Sequence, residues 1–227
     1  MGTSANGRYC VVIPAFNSAG TIGALVRSVK RQGLAVLVVN DGSSDQTAPI
    51  ASQEGAVVIS HLRNEGKGRA LRTGFEYALR AQYDGVITMD SDGQHDPAEI
   101  PALIEAGERQ HAGIVIGNRM ATSTMPLIRR WINRLLSWIV SAVARQQIPD
   151  SQSGFRLIHK EVLTNTPLRA NGFDIETELL LAAARRHWKT ISVPVRTTYE
   201  SHTSHIQPLR DGLRFFRMVF RYLGHHR

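Results

Sequence analysis

Two carboxylates, Asp90 and Asp92, stand two positions apart directly after the apolar run Gly85-Val86-Ile87-Thr88-Met89. Acids so placed at the end of a strand can share a hard divalent cation, which prefers oxygen ligands and bridges readily to a diphosphate. Gln94 adds a neutral oxygen close by. A solvated acidic turn is the plain alternative, since Asp and Gly are ordinary turn residues. Asp41 follows a second apolar run in Val38-Val39-Asn40-Asp41-Gly42-Ser43-Ser44-Asp45. A carboxylate there can accept hydrogen bonds from a base or ribose, while Ser43 or Ser44 can cap the next helix. Gly66-Lys67-Gly68 precedes a helical pattern and can offer backbone N–H groups and one cation to phosphate, or simply form a tight turn. The Gly-x-x-x-x-Gly-Lys-Ser/Thr spacing of a P-loop is missing, and no Gly-x-Gly-x-x-Gly follows the first apolar run, which argues against a dinucleotide cofactor.

These groups need a scaffold, and the apolar pattern predicts one. Short, mostly β-branched runs at 9–14, 35–40, 56–59, 85–89 and 113–117 alternate with helical spacings such as Ile22, Leu25, Val26, Val29 and Ala70, Leu71, Phe75, Leu79. Strands alternating with helices predict right-handed crossovers and a mostly parallel, Rossmann-like α/β sheet flanked by helices. Ligands of such sheets bind beyond the carboxyl ends of the strands. Here those ends are polar: Asn17, Asn40 and Asp41, Asp90 to His95, and Asn118 with Arg119. Four strand ends are therefore expected on one polar rim. Residues 126–146 place Ile128, Trp131, Ile132, Leu135, Leu136, Ile139, Val140 and Val143 on one broad helical face. A further helix is expected over 172–187, a strand over 188–195, and a closing amphipathic helix over 207–224 with a stripe of Arg210, Arg214, Arg217 and Arg221.

The 227 residues, 42% hydrophobic, suit one domain with a substantial core and exclude a disordered chain. A single cysteine, Cys10, excludes a disulfide framework or cysteine-rich zinc site and fits a reducing, cytoplasmic location. The N-terminus lacks a basic start followed by a long apolar run, so no signal peptide is expected. The helical apolar tract 135–144 is about half of the roughly 20 residues a spanning helix needs. Residues 1–125 carry 11 Lys and Arg against 12 Asp and Glu, a balance of −1; residues 126–227 carry 16 against 7, a balance of +9. The second half therefore wants an anionic partner: phospholipid headgroups, a phosphorylated substrate or nucleic acid.

Taken in order, Val-Val-Ile-Pro-Ala-Phe-Asn, Val-Val-Asn-Asp-Gly-Ser-Ser-Asp, Asn-Glu-Gly-Lys-Gly-Arg-Ala-Leu, Met-Asp-Ser-Asp-Gly-Gln-His-Asp-Pro, Ile-Gly-Asn-Arg and Asp-Ser-Gln-Ser-Gly-Phe-Arg resemble the family-two glycosyltransferases of GT-A fold. Within that family the chain most resembles the dolichol-phosphate mannosyltransferase and polyprenyl-phosphate glycosyltransferase branch. The likeness runs from about Tyr9 to about Val195. It implies that residues 1–125 form the nucleotide-sugar and metal half of one domain and 126–227 its acceptor side. It also implies that Pro14, Phe16, Asn17, Asp41, Lys67, Asp90 and Ser91 hold the nucleotide sugar, and that Asp90, Asp92 and Gln94 hold Mg2+ or Mn2+. Arg119 would meet donor or acceptor phosphate. Arg129 or its neighbour Arg130, together with Asn133, would match the branch's following Arg/Ser pair. Ser153 and Arg156 belong to the Ser-Gly-Phe-Arg signature, and Glu176 to a later acidic motif. At two places the chain departs from the pattern: Asn17-Ser18 replaces the usual Asn-Glu, and Ser204-His205 stands where relatives often have Ser-Lys on the acceptor side.

The expected reaction is inverting transfer of a hexose from a GDP-mannose or UDP-glucose type donor to a polyprenyl phosphate. A lipid phosphate is already ionised at neutral pH, so arginines to position it matter more than a general base. Transfer to a sugar hydroxyl, which would need a base such as Asp174 or Glu176, is the competing reading, followed by non-catalytic binding of phosphorylated lipid. Nucleic acid is not expected as a partner, because no recognised binding motif accompanies the basic excess. The segments 126–146 and 207–224 can either pack on the sheet or lie on the anionic inner leaflet of a membrane, alone or with a membrane-protein partner.

Overall fold

In the computed structural model the described residues are 8–120, 125, 127–197, 215 and 217–222, with Arg129 described by its backbone alone. They form a seven-stranded sheet in the order β3-β2-β1-β4-β6-β5-β7. Its strands are β1 (Tyr9–Ala15), β2 (Ala35–Asn40), β3 (Val57–Ser60), β4 (Gly85–Thr88), β5 (Ile114–Asn118), β6 (Arg156–His159) and β7 (Thr190–Pro194). The helices are α1 (Ala19–Lys30), α2 (Thr47–Gln53), α3 (Lys67–Arg80), α4 (Ile100–Gln110), α5 (Leu127–Ala144), α6 (Lys160–Asn165) and α7 (Ile175–Arg185). All five apolar runs of the first half form strands, and the strand expected over 188–195 is β7. β1 is buried along its whole length because it lies between β2 and β4 with helices on both faces.

β6 is the strand that apolar periodicity does not announce. It begins with Arg156 and pairs antiparallel to both β4 and β5, whereas every other pairing is parallel. Running against its neighbours, it starts where they end. The Ser153-Gly154-Phe155 segment therefore enters at the carboxyl rim, beside the ends of β4 and β5. Gly154 is required there: a Cβ would strike the Asp90 carboxylate.

Two apolar layers cover the sheet. One joins α1 and α4 to alternate residues of β1, β2 and β4, with Ile13, Ile22, Ile87 and Leu103 fully buried. The other joins α3, α5 and α7 to the opposite face and takes in Phe215, Met218 and Val219. Those three lie in the expected closing helix; of its arginine stripe, Arg217 and Arg221 are exposed, and Arg210 and Arg214 lie outside the described residues. No helix among the described residues is long and apolar enough to cross a membrane.

For α5 the single apolar face expected from sequence divides in two. Val140 and Ala144 are buried, with Leu136, Ile139 and Val143 packed beside them. Ile128, Trp131, Ile132 and Leu135 instead point away from the core, together with Leu127 and Trp138.

Candidate active site

The rim joins the expected acids to a cation contributed by another element. Lys67 opens α3, and its Nζ lies 2.5 Å from Asp90 Oδ1 and 2.6 Å from Glu176 Oε1 in the first turn of α7. Backbone geometry places it there. Gly66 has φ of 96°, and its missing Cβ makes room for the Asn171 carbonyl, which also accepts a bond from Gly68 N–H at 2.9 Å. The turn and the approach to α7 are thereby interlocked. Burial alone would lower the pKa of Lys67, but the two carboxylates override it and raise the pKa above the usual lysine value. Burial opposes ionisation of Asp90 as well; the ammonium of Lys67 prevails and brings its pKa down to about 2.

Among the described residues Asp92 has no cation within ion-pair distance. One of its oxygens accepts the Gln94 N–H at 3.0 Å, and burial together with the charge of Asp90 raises its pKa. Among the described residues no group of three or more His, Cys, Asp or Glu side chains forms a metal cluster. A carboxylate strained in this way, beside a second acid and an amide, fits a hard cation that takes its remaining oxygens from diphosphate and water, the habit of Mg2+ and Mn2+. His95 follows immediately. It is 3% exposed, its ring lies 5.1 Å from that of Phe155, Nδ1 has no hydrogen-bond partner among the described residues, and burial lowers its pKa to about 4.

The loops that follow β1, β2 and β4 are tied to one another. Asn17 takes φ of 50°, donates its backbone N–H to Ser43 Oγ at 2.9 Å and accepts Ser44 N–H at 2.9 Å. Ser91 bonds Ser18 through their hydroxyls at 2.8 Å. Phe16 is half-buried beside them and Pro14 is buried in β1. The cap expected of Ser43 or Ser44 is made by Asp45, which accepts Thr47 N–H and Ala19 N–H at 3.0 Å each and so serves two helices; Ser43 and Ser44 are engaged by Asn17 instead. Asp41 is buried, and its carboxylate accepts the N–H groups of Glu65 and Gly66 at 3.0 and 2.8 Å. His61 Nδ1 lies 2.7 Å from it, and His61 Nε2 is 3.0 Å from Thr73 Oγ1. His61 escapes a motif reading because it stands alone in an exposed-looking loop.

Arg119, expected to meet phosphate, and Arg156 of the Ser-Gly-Phe-Arg signature both have protein partners. Arg119 pairs with Asp150 through Nε and Nη2 at 2.9 and 3.0 Å, and the same carboxylate accepts Arg119 N–H at 3.0 Å. Arg156, 1% exposed, donates to the carbonyls of Ser151, Ser153 and Glu176 at 2.7 to 2.8 Å. It thereby secures the start of β6 to the start of α7. Ser153 is buried, with its hydroxyl accepting Phe155 N–H at 3.3 Å. On α5, Arg130 and Asn133 are half-buried, Asn133 Nδ2 lies 3.8 Å from Met125 Sδ, and Ser137 bonds Ser151 N–H at 2.9 Å. The side chain of Arg129, and Ser204 with His205, lie outside the described residues. Asp150 opens the Asp-Ser-Gln-Ser-Gly-Phe-Arg motif, and that position was the available sign of its importance.

The mostly parallel seven-stranded sheet flanked by helices is a GT-A-like fold. The chain belongs to glycosyl transferase family 2, whose model matches residues 10–166. It is 31% identical over 220 residues to glycosyltransferase AglJ of Haloferax volcanii, covering 93% of this chain and 71% of that one. It is 28% identical over 217 residues to the UDP-N-acetylglucosamine–dolichyl-phosphate N-acetylglucosaminyltransferase of Methanococcus voltae, covering 85% and 86%. Among solved structures, glucosyl-3-phosphoglycerate synthase from Mycobacterium tuberculosis, in complex with Mn2+, UDP and phosphoglyceric acid, aligns with a TM-score of 0.71. That match has 23% identity and covers 96% of this chain and 78% of that one.

Proposed function

We propose that this chain is an inverting hexosyltransferase that moves a sugar from a nucleoside diphosphate, of GDP-mannose or UDP-glucose type, to a polyprenyl or dolichyl phosphate. The reaction takes place at the cytoplasmic face of a membrane on which the protein is peripheral. The carrying observation is the Lys67–Asp90–Glu176 cluster with Asp92 uncompensated beside it. It supplies one acid held ionised and a second in need of a cation, where a diphosphate would sit. A bound Mg2+ or Mn2+, held by Asp90, Asp92 and Gln94, would supply charge stabilisation to the departing diphosphate.

The remaining roles fall to the chain's own side chains. Pro14, Phe16, Asn17, Asp41 and Ser91 bind the nucleoside and its phosphates, and Lys67 adds a positive charge at the sugar end. Glu176 is ion-paired to Lys67, so it is poorly suited to act as a free base. An acceptor already ionised needs none, which favours phosphate over a sugar hydroxyl. Arg130 and Asn133, with Arg129, Ser204 and His205, orient that phosphate, while Arg119, Ser153 and Arg156 hold the 150–156 segment in place. Residues 1–125 thus serve the donor and 126–227 the acceptor within one domain. The dolichyl-phosphate acceptor named for the Methanococcus voltae relative supports the same class here.

Incubation with radiolabelled nucleotide sugar, polyprenyl phosphate and Mg2+ or Mn2+ tests the reading. Label is expected in an organic-extractable, acid-labile product. Label confined to oligosaccharide would replace the lipid acceptor with a hydroxyl acceptor.

A further inference from the structure

The outward stripe of α5 has no partner within the described chain. Leu127, Ile128, Trp131, Ile132, Leu135 and Trp138 are each between 52% and 77% exposed, and they span roughly 16 Å of one helix at 1.5 Å per residue. Scattered exposed hydrophobes are ordinary; a contiguous row containing two tryptophans marks an interaction surface. Folding has already satisfied the other side of this helix, where Ser137, Val140 and Ala144 are buried. The row is therefore not an unburied remnant of the core.

Charge selects the occupant. From Ala121 to Pro149 the chain carries Arg129, Arg130, Arg134 and Arg145 and no Asp or Glu. Arg134 and Arg145 are exposed. A two-fold contact between copies would set this patch against itself, bringing the exposed Arg134 and Arg145 of each copy towards those of the other, with no Asp or Glu from 121 to 149 to offset them. An anionic leaflet offers what both features need: a headgroup layer for guanidinium groups and an acyl boundary for indole and aliphatic side chains. Tryptophan prefers that boundary.

We infer that α5 is the membrane-contacting element, with Trp131 and Trp138 sunk at the headgroup–acyl boundary of an anionic leaflet and Arg134 and Arg145 among its phosphates. The opposite face of the same helix reaches the site: Ser137 bonds Ser151, next to the Asp150 that grips Arg119. Contact with the leaflet and the acceptor wall are thus built on one rigid rod. This inference rests on the lipid-phosphate reading for its biological sense, but adsorption itself needs no acceptor and is measured without one.

The full chain is mixed with vesicles of phosphatidylcholine containing one quarter phosphatidylglycerol, at low and high salt. Flotation with the vesicles, a blue shift of tryptophan emission and quenching by bromine-labelled acyl chains are expected, all weakened by salt. Replacing both tryptophans (Trp131→Ser with Trp138→Ser) should lower vesicle partitioning by at least about tenfold, since each indole buries a large apolar area. Arg134→Glu should weaken binding to anionic vesicles but leave the weak binding to neutral ones unchanged. Because these side chains are exposed, the variants should keep the wild-type circular dichroism and transfer to a short-chain polyprenyl phosphate in detergent. Absence of flotation at low salt overturns the inference. So does a dimer, seen by light scattering, that the tryptophan replacements dissociate, and so does capture by a membrane protein with no affinity for vesicles. Adsorption without transfer in detergent would overturn the acceptor reading and leave this one standing.

Discussion

Lys67 and Glu176 are 109 positions apart in the chain and meet at 2.6 Å. The bond joins the first turn of α3 to the first turn of α7. With Asp90 as its second partner, Lys67 unites three elements at one atom. A change of charge on any one of the three side chains is therefore felt by the other two.

Removing that ammonium should be costly. Lys67→Met leaves Asp90 and Glu176 facing each other with their shared counter-ion gone, and breaking a buried pair in this way typically costs about 3–5 kcal/mol. Urea denaturation should show a loss of that order. Adding Glu176→Gln to Lys67→Met should restore part of it. Strict additivity of the two single changes would show that the carboxylates do not depend on the ammonium.

Asp92→Asn should separate stability from activity. Burial and the charge of Asp90 raise the pKa of Asp92, so its ionised form is disfavoured in the folded protein. Such a group contributes its stability while protonated, below its unfolded-state pKa, and loses it as pH rises through the folded value. The amide should make the metal-free protein more stable than wild type at pH 7, by a margin that disappears near pH 3. The same variant should lose transfer and the rise in melting temperature produced by nucleoside diphosphate with Mn2+. Turnover comparable to wild type would remove Asp92 from the site.

Acid should weaken the fold through His95 well before most carboxylates titrate. Burial holds its pKa at about 4, while the unfolded chain binds a proton near 6.5. The folded state therefore has its full contribution above pH 6.5 and loses it as pH falls towards 4. That difference corresponds to about 3 kcal/mol at 1.36 kcal/mol per pKa unit. Denaturant titrations of metal-free protein across this window should show the decline, and His95→Gln should flatten it. An unchanged slope in that variant would assign the decline to other groups.

The parts of the fold legible from sequence are those fixed by local pattern. β1, β2 and β4 are buried on both faces, so their apolar runs stand out, and the acids that follow β2 and β4 are read directly. β6 is hidden because its first residue is an arginine, and nothing local tells that three carbonyls await its guanidinium. The partners of Lys67 and Arg119 are likewise invisible, since bonds across 109 and 31 positions leave no periodic trace. For α5 the helix itself was readable from spacing. Which of its apolar residues meet the core depends on where α7 and the sheet lie, and helical spacing carries no record of that.

The reversal of β6 has a consequence for how this architecture can vary. Because that strand opens at the carboxyl rim and leads away from it, the stretch between α5 and β6 forms part of the rim without belonging to any parallel crossover. On the function proposed above, lengthening or reshaping it would alter what is received opposite the sugar, while the parallel crossovers of the first half stayed untouched.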